Sequence, residues 1–153
     1  MEEIILLEEA AKRFPFFPPA LVYHLVRLGV LPEVPQQRDG IASKPSIPLS
    51  RFLEIADLLN PYPHHHLLGQ SISFREAARR YGLSHTSFYR WLKKGYIYSH
   101  PNGGMEALSA HYAAQLALLV SPRRGKKIFP KNFTPPIPNP FPAPLSTASD
   151  IDY

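Results

Sequence analysis

The sequence predicts a mainly α fold made of tandem winged helix-turn-helix units with small β-hairpin wings, followed by an extended Pro-rich tail. Three observations carry this expectation. Two short amphipathic patterns flank Gly82-Leu83-Ser84 within the stretch Ser71 to Ile97. A degenerate copy of that stretch lies near the N-terminus. The last part of the chain, "NFTPPIPNPFPAPLSTASDIDY", is too rich in proline to build a core of its own. The expected division is a degenerate unit at 1–60, a linker at 61–70, a second unit at 71–120, and a basic then Pro-rich tail at 121–153.

In the first unit, Leu7, Ala10, Ala11 and Phe14 have the spacing of one helical face. "PFFPP" follows as a stiff, apolar turn, and "LVYHLVRLGVL" (Leu21 to Leu31) reads as the second helix. "PEVPQQRDGIASKPSI" would be a long Pro-containing wing, and "PLSRFLEIADLL" (Pro48 to Leu59) a closing helix. The connection "NPYPHHHLLGQ" holds His64, His65 and His66. Neutral imidazoles bind zinc or nickel, but no Asp, Glu or Cys stands near them in sequence, so a flexible linker is expected and no metal site.

The second unit has clearer signals. Phe74, Ala77, Ala78 and Tyr81 fall at i, i+3, i+4 and i+7, and Ser73 with Glu76 has the S-x-x-E capping-box pattern. Gly82 suits the positive φ of a tight turn, Leu83 plugs the corner, and Ser84 is an N-cap for a helix running to about Lys94. Leu83, Phe88, Leu92 and part of Trp91 are expected to face inward. That leaves Ser84, His85, Thr86, Ser87, Tyr89, Arg90, Lys93 and Lys94 toward solvent. Two helices joined by a short Gly-containing turn form a helix-turn-helix. The second helix of such a pair fits the major groove, with residues near its N-terminus at base edges. Small hydroxyl and imidazole groups at 84–87 can approach bases, Arg90 can donate two parallel hydrogen bonds to guanine, and Lys93 and Lys94 suit phosphates. "YIYSHPNGGM" then alternates and breaks at Asn102-Gly103, a hairpin signal, which places Asn102 on a wing with the DNA-contacting set. "ALSAHYAAQLALLV" reads as a closing helix capped near Ser109, its apolar side a core or homodimer contact.

From Ser73 to Val120 the order of motifs, "EAA", "GLS", "SFYRWLKKG", wing and closing helix, resembles the MerR and excisionase superfamily of winged helix-turn-helix proteins. The resemblance covers about fifty residues. It implies DNA contact by His85, Thr86, Ser87, Tyr89, Arg90 and Lys93.

The first unit departs from this pattern where DNA would be read. Leu6 stands at the Ser73 cap, His24 at Arg90 and Leu28 at Lys94, with only Arg27 keeping the charge of Lys93. Charge follows the same division. Residues 1–60 hold six Lys or Arg against eight Asp or Glu, residues 61–131 hold eleven against only Glu76 and Glu106, and residues 132–153 hold only Asp150 and Asp152. The net values are −2, +9 and −2. A polyanion partner is therefore expected for the middle segment, and a scaffold, dimer or docking role for residues 1–60. In the tail, "SPRRGKKIFPK" is a basic run that includes Lys131, suited to phosphates or to a partner's acidic surface, and its Arg123, Arg124, Lys126 and Lys127 join the DNA-contacting set. Phe133, Ile137 and Phe141 are apolar anchors for a partner or for the protein's own body.

Other classes have little support. There is no cysteine for a disulfide or a thiolate metal site. The acidic start "MEEIILLEEAAKRF" is no signal peptide, and no apolar run approaches the roughly 20 residues of a membrane span, so a soluble cytoplasmic protein is expected. There is no Cys nucleophile and no Gly-rich phosphate loop, and the acidic residues do not pair in a cleft, so no enzyme is expected and no cofactor is implied. The leading expectation is a sequence-specific double-stranded DNA-binding protein, a transcription regulator or excisionase-type accessory factor of phage or plasmid origin. The alternative is an adaptor that docks on a larger machine, such as RNA polymerase or a virion assembly, through its winged units and tail.

Overall fold

The computed structural model describes residues 3–34, 44–120 and 127–141. Strand β1 (Ile4–Leu6) leads into a single-turn helix α1 (Leu7–Ala10). Helix α1 stops after one turn, and the chain then tightens through Lys12 and Arg13 amides that donate to the Glu9 and Ala10 carbonyls. Helix α2 (Pro19–Arg27) starts with proline at its first position, where an amide has no intrahelical partner anyway. It ends at Gly29, whose φ of 80° lets Val30 and Leu31 donate back to the Leu25 carbonyl. Strand β2 (Ser46–Pro48) then pairs antiparallel with β1, Ile5 opposite Ile47, and runs directly into α3 (Leu49–Leu59).

The same element order follows again. Strand β3 (Ser71–Ile72), helices α4 (Phe74–Tyr81) and α5 (His85–Lys93), strand β4 (Met105–Glu106) and helix α6 (Ala107–Val120) complete the second unit, with β3 antiparallel to β4. A bridge between Ser99 and Met105 adds the first arm of the hairpin, as Val34 bridges Ser46 in the first unit. Most of the longer wing expected between Pro32 and Ile47 lies outside the described residues.

Helix α6 is buried on nearly all sides, with Ala110, Ala113, Ala114, Leu116 and Ala117 all inside. Its alanines let α3 approach closely, and Tyr112 crosses to the first unit to donate to the Phe16 carbonyl at 2.6 Å. One continuous apolar core therefore runs from Ile5 to Phe133. The apolar side of α6, open from sequence to a core or a homodimer contact, is core. Helix α6 covers the whole expected stretch, but its cap differs. Glu106, not Ser109, caps it, accepting from the Leu108 and Ser109 amides at 3.0 and 2.6 Å.

Residues 61–70, expected as a flexible linker, contain a 3-10 helix (Tyr62–Leu67) packed on α6. Its His64 ring lies 4.0 Å from that of His111, and the Gly69 amide donates to the Glu106 carboxylate at 2.9 Å. The Pro-rich segment also packs on the chain itself. Phe129, Phe133 and Ile137 are buried, and Phe141 packs edge-on against His100 of the wing. Of the two placements expected for these anchors, Phe133 and Ile137 take the protein's own body, while Phe141 stays half-buried. No helix among the described residues is long and apolar enough to cross a membrane.

Candidate nucleic-acid interface

Helices α4 and α5 are fixed relative to each other by three local devices. Ser73 Oγ accepts from the Glu76 amide at 3.1 Å and Ser84 Oγ from the Thr86 amide at 3.2 Å, so both helices begin capped. Gly82 adopts a left-handed conformation (φ 68°) and its amide donates to the Ala78 carbonyl. The other half of the expected capping box does not form, because the Glu76 carboxylate pairs with Arg80 at 2.8 Å instead. Phe88 is fully buried, and Trp91 is 8% exposed, more covered than α5 alone would make it, because Phe129 of the tail packs edge-on against it at 5.4 Å.

The opposite face of α5 holds the residues singled out from the sequence. Ser84, His85, Thr86, Tyr89, Arg90, Lys93 and Lys94 are exposed and Ser87 is half-buried. Tyr89 is held edge-on to Phe74 at 5.8 Å, and the Lys93 ammonium sits 5.4 Å from its ring centroid. The three ion pairs among the described residues are Glu8–Lys44, Arg51–Glu54 and Glu76–Arg80, so none of the described carboxylates pairs with Arg90, Lys93 or Lys94. The second unit's other acid, Glu106, is buried beneath the wing.

Asn102 is exposed at the wing tip, on a frame that is well pinned. Its amide donates to His100 Nδ1 at 3.0 Å, while His100 Nε2 donates to the Gly69 carbonyl at 2.9 Å. Gly104 has φ 75°, and a Cβ there would lie 2.7 Å from the Ile72 carbonyl oxygen, so only glycine lets the wing lie this close to β3.

Lys127 is exposed, and its carbonyl accepts from His24 Nε2 at 2.9 Å. Arg123, Arg124 and Lys126 lie outside the described residues. Beside α5 the tail forms the far wall of a cleft of about 690 Å³, lined by Arg90, Lys94, Lys127 and Lys131 among others. Lys131 is absent from the DNA-contacting set expected from sequence. Its membership of the basic run was the available signal, but only the docked tail brings it beside Arg90.

Behind α4, His111 Nδ1 accepts from the Tyr81 hydroxyl at 3.0 Å, and its Nε2 is buried without a partner. Burial first, then His64, Arg80 and His66, pushes this imidazole down to about 4. Burial raises the Tyr81 phenol, and His64 and His111 do not join a cluster of three or more metal-ligating groups among the described residues.

Residues 65–100 match the family model of the helix-turn-helix, Psq domain. The matched span includes α4, the Gly82 turn, α5 and the first arm of the wing, and it is a helix-turn-helix. No curated protein and no solved structure matches the chain.

Proposed function

We propose that this chain is a sequence-specific double-stranded DNA-binding protein in which α5 enters the major groove and the wing tip at Asn102 follows the backbone. The carrying observation is the face of α5: a capped helix with exposed hydroxyl and imidazole groups at its N-terminus and three cations beyond them that no carboxylate among the described residues neutralises. In this reading His85, Thr86 and Arg90 reach base edges, and Ser84, Tyr89, Lys93 and Lys94 hold phosphates or sugars. Half-buried Ser87 makes a secondary contact. The role is regulatory or accessory rather than enzymatic, as in the MerR and excisionase proteins that the order of motifs resembles.

The first unit serves as a scaffold. It repeats the β-α-α-β-α order, which supports a tandem origin, but it has apolar residues and prolines where α5 has donors. Its packing against α6 through α3, with the Tyr112–Phe16 and His24–Lys127 hydrogen bonds, supports that role.

Selection of bound duplexes from a random pool, followed by affinity measurements with Arg90→Ala and Lys94→Ala, tests the proposal. Arg90→Ala is expected to cost about 1–3 kcal/mol and to relax preference at one base pair, while Lys94→Ala weakens binding to all sequences alike. Absence of duplex binding by the unaltered chain would overturn it.

A further inference from the structure

The cleft beside α5 is not explained by a helix that simply reads base edges. Arg90 and Lys94, one turn apart on α5, form one wall, and Lys127 and Lys131 line the other. All four are exposed, and none has a carboxylate partner among the described residues. We infer that this cleft is a phosphate channel: one strand's backbone of the duplex read by α5 runs between α5 and residues 127–132. The inference rests on the DNA-binding reading and adds a second wall to it.

Two features make the tail a fitting wall rather than a loose basic arm. First, it is held in place before any DNA arrives. The His24 side chain fixes the Lys127 carbonyl, and the Phe129 ring stacks on Tyr96 at 4.4 Å and meets Trp91 edge-on. The next residues form a tight turn, with the Phe133 amide donating to the Pro130 carbonyl and Asn132 at φ 61°, a conformation that asparagine tolerates well. Lys131 is thereby presented from the turn's tip, and little ordering entropy remains to be lost on binding.

Second, the cleft offers charge but no platform for a base. Single-stranded nucleic acid is held by stacking bases on open aromatic faces. Here Tyr96 is covered by Phe129, and Trp91 is buried. Apart from Arg90, which the groove reading sends to a base edge, what remains accessible is the ammonium groups of Lys94, Lys127 and Lys131, the chemistry of a sugar-phosphate backbone still paired in a duplex. In this arrangement the scaffold unit acts on the channel without lying along the DNA, since its His24 holds the far wall.

The test uses the full chain and measures affinity against salt for the selected duplex and for a mixed-sequence duplex. Lys127→Ala with Lys131→Ala should weaken both by the same factor. It should also flatten the salt dependence by up to about two units, roughly 0.9 for each phosphate no longer neutralised. Arginine at both positions should restore binding. A parallel variant, His85→Ala with Thr86→Ala, should lose preference for the selected site while keeping the slope. If the lysine variant keeps the wild-type slope while the His85/Thr86 variant behaves as described, the channel is wrong and the groove reading stands. A lysine variant that loses only the selected site would also overturn the channel, because backbone contacts do not discriminate. If the unaltered chain binds neither duplex, both readings fall together.

Discussion

Glu106 joins the connection, the wing and α6 at a single side chain. Fully buried, its carboxylate accepts from the Gly69, Leu108 and Ser109 amides. Replacing it with alanine strands those donors, and a loss of about 2–4 kcal/mol is expected in denaturant titration, with glutamine losing less because it keeps one acceptor oxygen. The sequence did not reveal this role, because Ser109 offers an ordinary cap and one of the three donors lies 37 positions away. Ser73 and Ser84, by contrast, were legible as caps, since the amides they bind lie two or three residues ahead. His111 contributes a pH dependence. The unfolded chain takes up its proton near pH 6.5, but the folded one only near pH 4, where burial and the neighbouring His64, Arg80 and His66 oppose the charge. Stability should therefore fall as pH drops from about 6.5 to about 4, with no contribution from this group above that window. Thermal unfolding across that range measures it, and His111→Gln should flatten the decline. An equal decline in the variant would assign it to other groups.

At the scale of elements, α4, the Gly82 turn and α5 were legible because their stabilising contacts are local in sequence. The docked tail was not. The polyproline II conformation that such a composition favours has no internal hydrogen bonds, so composition announces an extended strand without saying where it lies. Its position comes from distant groups: the Tyr98 hydroxyl, which donates to the Ile137 carbonyl, and the aromatic cluster of Trp91, Tyr96 and Phe129. The 3-10 helix was missed for the same reason, since its support is α6. Phe129→Ala is expected to destabilise the fold by about 3–5 kcal/mol, as for a buried aromatic. It should also shift the emission of Trp91, the sole tryptophan, to the red. Unchanged emission would mean that the tail does not cover α5 in solution.

Across the whole molecule, the charge division of −2, +9 and −2 puts six of the eleven middle cations on the unit that carries α5 and five in the basic run of the tail. The units are not independent, however. Helix α6 packs on α3, and single units of about fifty residues would be marginal alone. The full chain should unfold in one cooperative step, and a fragment of residues 68–131 should melt at lower temperature and bind DNA more weakly. Two separate calorimetric transitions would contradict the shared core. The most direct test of the central claim is amide NMR mapping of the intact protein titrated with its selected duplex. The account predicts perturbations concentrated at residues 84–94, around the wing at 98–104, and at 127–132, with α2 and α3 little changed. Perturbations centred on the first unit, with α5 silent, would contradict it.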